Sequence, residues 1–322
     1  MYNTISGGFM KGLKDYPETY EEFLEWFKTE DDCIEYISKH RWPEGFKCSK
    51  CNSLKAWRTR KGLMHCSNCG HQTSVIAQTV FQGTRKPLRL WFNVIWWVVS
   101  QKTGSSALNL KNAMNFNSYE TAWTWLQKLR RIMIRPGREL LCGRVEVDDT
   151  YIGGQESGVI GREIGDKILV AVAVEGLNGK IGRVRFRCIN NASSEELIPF
   201  IIDNVDKNSL VITDGWRGYS SLKDKGYKHE VKNISKSDKD AGKLLPRVHL
   251  IIALVKRWLM GTHQGAVSQK HLQYYLDEFS FRFNRRLSTH RGKLFYRIIQ
   301  QAVVIKAETM DSITGKKAKH YI

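Results

Sequence analysis

One short stretch of the chain alternates apolar and acidic residues and then runs into two adjacent aspartates. In Arg144–Gly154 (R-V-E-V-D-D-T-Y-I-G-G), Val145 and Val147 alternate with Glu146 and Asp148. That period of two marks a half-buried strand, and Gly153 and Gly154 allow a sharp turn after it. A strand ending there would hold a carboxylate at a fixed, exposed point, where a second carboxylate from elsewhere could share a metal ion. A charged edge strand closed by a turn has the same pattern. Further strand-like runs follow at Ile168–Glu175, Arg183–Ile189 and Leu210–Thr213. A helix, Ser193–Val205, opening S-S-E-E, separates the last two, and the fourth strand leads into D-G-W-R-G-Y at Asp214–Tyr219.

Elsewhere the apolar spacing is helical. Thr19 with Glu22 three residues later predicts a capping box opening one amphipathic helix, with Phe23, Trp26 and Phe27 on a face and an end near Trp42-Pro43-Glu44-Gly45. Leu88–Val99 reads as a buried helix, too short for a membrane span and interrupted by Arg89 and Asn93. Asn93–Gln101 and Ala107–Arg131 read as helical. Within the second, a helix Ser106–Met114, a polar turn Asn115–Asn117 and a helix from Ser118 have the rhythm of a helix-turn-helix, which a plain helical hairpin shares. In it Trp123, Leu126 and Leu129 are expected inward, and Lys128, Arg130 and Arg131 outward. Leu222–Lys243 is polar and basic and reads as a loop. Val248–Met260 reads as a helix stopped by Gly261, with His249 in its first turn and Lys256 two turns on along the same face. Helices over His271–Arg286 and Lys293–Lys306 close the pattern, and the stripe Leu272, Tyr275, Leu276, Phe279, Phe283 is expected to be core.

Charge narrows the partners. Among 322 residues, 51 Lys and Arg against 32 Asp and Glu leave a net charge of +19, which concentrates polyanions, nucleic acid above all. The opening residues lack the apolar core of a secretion signal, and nothing suggests a membrane, so a cytoplasmic, nucleoid-associated location is expected. Of seven cysteines, four fall as Cys48-x2-Cys51, fourteen residues, and Cys66-x2-Cys69. Two such knuckles turn two thiolates each toward one tetrahedral ion, so a structural Zn²⁺ in a ribbon is expected, and with it a reducing compartment. Cys33, Cys142 and Cys188 lack a pattern and are expected to be buried small hydrophobes.

Three strands, a helix and a fourth strand, with aspartates after the first and fourth, match the layout of the ribonuclease H-like fold. Taken together, C-x2-C…C-x2-C at Cys48–Cys69, V-E-V-D-D-T-Y-I-G-G, T-D-G-W-R-G-Y at Thr213–Tyr219, K-R-W-L-M-G-T-H-Q-G-A-V-S at Lys256–Ser268 and Q-K-H-L-Q-Y-Y-L-D-E-F-S-F-R-F-N-R-R at Gln269–Arg286 resemble the DDE transposases of prokaryotic insertion sequences, in the group with an amino-terminal zinc ribbon. The resemblance implies an α/β chain arranged as a helical segment (1–44), a ribbon (45–80), a helix-turn-helix-like DNA-binding region (84–138), a ribonuclease H-like catalytic domain (143–306) and a polar tail (307–322). It implies Asp148 and Asp214 as the first two catalytic carboxylates. Asp149 stands where the family usually has Glu, as a supporting residue that could exchange roles with Asp148.

The third position departs from the family pattern. Seven residues before Lys256, where a Glu is common, stands His249. Some branches are similar in carrying His or Asn there, which implies a D-D-H set; Asp240, Asp277 and Glu278 are the acidic alternatives. The implied activity is cleavage at transposon ends and strand transfer with Mg²⁺ or Mn²⁺ on Asp148, Asp214 and His249, Lys256 contacting a phosphate. The implied partners are double-stranded DNA, as terminal inverted repeats and target, and further copies of the chain in a homodimer or larger synaptic assembly. A non-catalytic DNA-binding protein and a ribonuclease H-like nuclease would share parts of this pattern.

Overall fold

A computed structural model describes residues 14–59, 62–153, 167–232, 244–264, 267–306 and 308–314. These form two compact units: the chain up to Ser100 with Ser288–Glu308, and Gln101–Leu287 with the residues from Thr309. Among the described residues no helix is long and apolar enough to cross a membrane.

In the first unit, the single helix expected after Thr19 is two, α1 (Tyr20–Trp26) and α2 (Glu30–Arg41). Thr19 does cap α1, its hydroxyl accepting from Glu22 N–H. The break arises because Thr29 and Asp32 build a capping box of their own: Thr29 N–H donates to Asp32 at 2.7 Å and Asp32 N–H to Thr29 at 3.2 Å. Strands β1 (Ala56–Arg58), β2 (Leu63–Cys66) and β3 (Gln72–Ser74) pair antiparallel as the ribbon. Helix α3 (Leu88–Ser100) starts where the apolar run Leu88–Val99 places it. Its first N–H groups are capped from a distance, Leu88 and Arg89 donating to the Glu30 carboxylate at 2.7 and 3.1 Å. Phe23, Phe27, Phe92 and Trp96 close around Phe295 of helix Arg291–Ala302, mostly edge-to-face, as aromatic quadrupoles prefer.

The second unit opens with α4 (Ala107–Ala113) and α5 (Tyr119–Arg131), capped by Ser106 and Ser118 as the helix-turn-helix rhythm predicts. Its inside and outside differ from expectation. Arg130 is buried rather than outward, Lys128 and Trp123 are half-buried, and only Arg131 is exposed. Arg130 lies inward because it is neutralised there: its Nε meets Glu278 at 2.7 Å and its guanidinium sits 4.1 Å from the Tyr275 ring. Arg282 takes the other Glu278 oxygen at 2.7 Å.

The two arginines hold the Glu278 carboxyl below its usual range despite complete burial. Its folded-state pKa is depressed, so its stabilisation is present above the unfolded value near 4.5 and is lost as pH falls below that. Glu278→Gln should cost about 3 kcal/mol near neutral pH by stranding two buried cations. In urea melts the gap from wild type should narrow as pH drops below 4.5.

The sheet has five strands in the order β6-β5-β4-β7-β8. Strands β4 (Arg144–Ile152), β5 (Ile168–Leu177) and β6 (Lys180–Ile189) form an antiparallel meander. After α6 (Ser194–Asn204), β7 (Leu210–Thr213) lies parallel to β4, and β8 (Lys228–Val231) lies parallel to β7. Strand β8 corrects the reading of Leu222–Lys243 as loop: its residues are polar because it is a sheet edge, half-exposed. Residues 233–243 lie outside the described part. Two helices follow, α7 (Pro246–His263) and α8 (Gln269–Asn284). Helix α7 runs through Gly261 and ends at Gln264 in the left-handed conformation (φ 52°), so Gly261 does not stop it.

Both sheet faces are covered, as a mixed sheet with flanking helices requires. On one, Val170, Val172 and Val174 pack with Val248, Ile251, Val255, Leu272 and Leu276 of α7 and α8. The helical stripe Leu272–Phe279 is therefore core. On the other, Val145, Val147 and Ala171 pack with Leu197, Phe200 and Tyr219. Cys33 is buried as expected, whereas Cys188 is half-buried and Cys142 exposed.

Candidate functional site

Asp148 does not end its strand. It sits mid-β4, paired with Val172 of β5, while pairing with β7 stops at Glu146 opposite Ile212. Two residues beyond that stop, β7 has given way to Asp214. Asp148 therefore lies where the parallel neighbour ends, and its side chain gains an opening although the strand continues. Asp214 is held by a local turn, its Oδ1 accepting the Trp216 N–H at 3.0 Å, and Gly218 just after it admits no side chain because a Cβ would fall 2.6 Å from the Ala192 carbonyl oxygen.

Alternation along β4 separates the two adjacent aspartates. Asp148 shares a face with Glu146 and meets α7, its Oδ2 lying 3.6 Å from His249 Nε2. Asp149 shares the face of Val145 and Val147, toward Tyr219. Burial lifts Asp148 to about 7, with the charges of Asp149 and Asp214 adding to it and the Asp149 N–H opposing it at 2.9 Å. Burial and the Asp214 charge lift Asp149 to about 6. Asp148 and Asp149 thus both feel the charge of Asp214 from opposite strand faces, although among the described residues only the ribbon cysteines bring three ligand atoms within 4.8 Å of one another.

His249 adds a neutral donor. Burial pushes its pKa down, against the pull of Glu146 and Asp214. Its Nε2 is buried and makes no hydrogen bond among the described residues. An orphaned imidazole nitrogen 3.6 Å from one carboxylate, with Asp214 after the neighbouring strand, has the donor chemistry of a divalent-metal site, without the close convergence of the ribbon cysteines. Lys256 is exposed two turns along α7, its pKa lowered by partial burial. The acidic alternatives fare differently. Glu278 is consumed by Arg130 and Arg282. Asp277 is half-buried, raised to about 6 chiefly by loss of solvent, and hydrogen-bonded by Gln273 at 2.9 Å. Asp240 lies outside the described residues.

In the ribbon, Cys48 and Cys51 turn toward Cys66 and Cys69, with Phe46 packed beside them. The sulfurs of Cys48 and Cys69 lie 3.7 Å apart, those of Cys51 and Cys66 3.5 Å, and all four lie within 4.8 Å of one another. Bonds of about 2.3 Å to a tetrahedral Zn²⁺ require sulfur separations of about 3.8 Å, whereas a disulfide requires about 2.05 Å. The four cysteines are therefore placed for Zn²⁺.

Residues 140–284 match the ISXO2-like transposase domain, and residues 28–72 match the transposase zinc-ribbon domain. The chain carries both domains of the IS1595-type transposases. A search of curated proteins returns no match. The match to the ISXO2-like domain spans the whole sheet with α7 and α8, and so contains Asp148, Asp214, His249 and Lys256. Helices α4 and α5 fall between the two matched segments.

Two residues of the ISXO2-like domain escape the sequence reading. Helix α7 begins Leu245-Pro246 with no side-chain cap of its own. Glu146 supplies one from β4, its carboxylate accepting the N–H groups of Arg247 and Val248 at 2.7 and 2.9 Å and the Arg247 guanidinium at 2.8 Å. Two residues apart on one strand face, Glu146 thus anchors the helix start and Asp148 meets His249 just beyond it. The signal was available: a Pro-initiated helix lacking Ser, Thr, Asp or Asn before it takes its cap from elsewhere. Glu146→Ala should lower stability by about 1–3 kcal/mol in thermal melts, and should reduce activity further by loosening His249, with Glu146→Gln intermediate in both. The second residue is Tyr219, fully buried, its hydroxyl without a hydrogen bond among the described residues. Its pKa is pushed well up by burial and by Asp149, Asp148 and Asp214, so it remains a neutral donor beside them.

Proposed function

We propose that this transposase cuts DNA at the ends of its element and joins the freed 3′-hydroxyl to target DNA, at a site made of Asp148, Asp214 and His249. The observation that carries the reading is the unbonded His249 Nε2 at 3.6 Å from the Asp148 carboxylate. Asp148, Asp214 and His249 would hold divalent cations, Mg²⁺ or Mn²⁺ by family norm; His, a softer ligand than the usual Glu, favours Mn²⁺ in the pair. Bound there, the ions supply nucleophile activation and neutralise charge on the attacking and leaving oxygens of in-line phosphoryl transfer. Asp149 would support Asp148 from the opposite strand face. Lys256, a charged ammonium on the His249 face of α7, would fix a phosphate next to the scissile one.

The ribbon and the α4–α5 pair would grip double-stranded DNA at the terminal inverted repeats, phosphate contacts setting register and base contacts choosing sequence. Joining two ends calls for a homodimer or larger synaptic complex. The test is strand transfer from a linear DNA bearing both ends of the element into a supercoiled plasmid with Mg²⁺ or Mn²⁺. Wild type should yield joined products; full activity of Asp214→Ala would overturn the assignment.

A further inference from the structure

On the side of α7 away from His249 lies a second concavity, about 780 Å³, walled by α7, α8 and the segment leading into α4. Trp258, Phe279 and Phe283 supply aromatic surface to it, and Lys102, Arg257, Arg282 and Arg286 supply cations, with no carboxylate among its lining residues. Arg282 is neutralised by Glu278. Among the described residues Arg286 is anchored on neutral groups, the carbonyls of Gly182, Ile181 and Phe283 and, at 4.1 Å, the Phe283 ring, and so keeps its charge. Lys102 and Arg257 are exposed. The Trp258 indole is braced at its edge, donating from Nε1 to the Thr103 carbonyl at 2.7 Å, with Gly104 pressed so close that a Cβ would fall 2.9 Å from that nitrogen.

Aromatic surface edged by cations that, Arg282 apart, have no carboxylate partner among the described residues suits a ligand that is flat and apolar in the middle and anionic at its edges. A nucleotide lifted out of a DNA strand has that make-up: a base with a π-face, flanked by phosphates. We propose that this cavity seats one unstacked nucleotide of the DNA strand being processed. The proposal rests on the transposase reading above and names a subsite of it. The route is short. Lys256 shares the His249 face of α7, and its neighbour Arg257 lines the cavity. A strand passing from one to the other crosses a single helix about 10–12 Å wide, a distance that a few nucleotides span. The seated base therefore lies within a few nucleotides of the scissile phosphate.

The test compares two single-stranded probes with the same phosphates: a twelve-residue oligothymidylate and a twelve-residue abasic oligomer. Wild type should bind the thymidylate about fivefold to hundredfold more tightly. Gly261→Leu is the first variant. Gly261 lines the cavity, and a Cβ there meets nothing within 4 Å, so leucine fills the space without disturbing the helix. It should erase most of the preference while leaving abasic binding unchanged. Trp258→Ala should do the same and Trp258→Phe should retain it, while Arg257→Ala should weaken both probes alike. Equal binding of the two probes by wild type, or a preference that survives Gly261→Leu, overturns the subsite and leaves the transposase reading standing. Absence of salt-dependent binding to either probe overturns the DNA reading itself.

Discussion

Asp148→Asn should lower the proposed strand transfer about 10³–10⁴-fold while leaving fold and DNA affinity intact. The substitution is nearly isosteric and sits mid-β4, where the backbone ladder to Val172 is unaffected. What changes is charge: the carboxylate facing His249 at 3.6 Å becomes neutral, and in the proposed site it could no longer share a cation with Asp214. Loss of metal-held stabilisation of attacking and leaving oxygens is worth several kcal/mol, hence the size of the effect. In chelator the variant should melt no lower than wild type, because burying three like charges together opposes folding. A gel assay of joined products beside a thermal melt reads both. Asp149→Asn, on the opposite strand face, should lose far less activity, and equal losses for the two would mean that they exchange roles.

Stripping zinc, or replacing Cys66 with Ser, should unfold the ribbon and remove the proposed end recognition while sparing the five-stranded sheet. The ribbon's strands are three or four residues long, and Phe46, Cys48 and Cys66 are the fully buried residues of its core cluster. So small a core cannot offset the entropy of ordering the segment, and binding of a structural Zn²⁺ supplies about 10–16 kcal/mol toward it. The check is metal content by mass spectrometry with DNA binding measured on terminal-repeat and scrambled duplexes. Wild type should discriminate between them. Cys66→Ser should bind both with the weaker, salt-dependent affinity that the remaining basic surface provides.

The sheet was legible where its strands are buried. Ile168–Glu175 and Leu210–Thr213 read correctly because continuous β-branched runs have few other uses. Strand β8 was not, because an edge strand of Lys228, His229, Glu230 and Val231 carries no apolar alternation. The adjacent aspartates were found, but their place was misjudged: the strand continues to Ile152, and what ends at Asp148 is its neighbour, a fact of pairing that one strand's pattern does not hold. Helices with a local cap (Thr19, Ser106, Ser118) read well, whereas the source of a distant cap did not. Both α3 and α7 are capped by glutamates from distant segments, Glu30 and Glu146, so the local sequence shows only a cap that is missing. Arg130 misled for a related reason, since a helix-face pattern places arginine outward unless its buried partner, Glu278, is known.

The central claim is that Asp148 touches a catalytic cation. It is tested most directly by Asp148→Cys, which exchanges a hard oxygen ligand for a soft sulfur at one position. Cleavage of an element-end duplex is measured across Mg²⁺ and Mn²⁺. The account predicts that wild type works in both ions, whereas the cysteine variant is inactive in Mg²⁺ and recovers in Mn²⁺. Undiminished cleavage by Asp148→Cys in Mg²⁺ would contradict it.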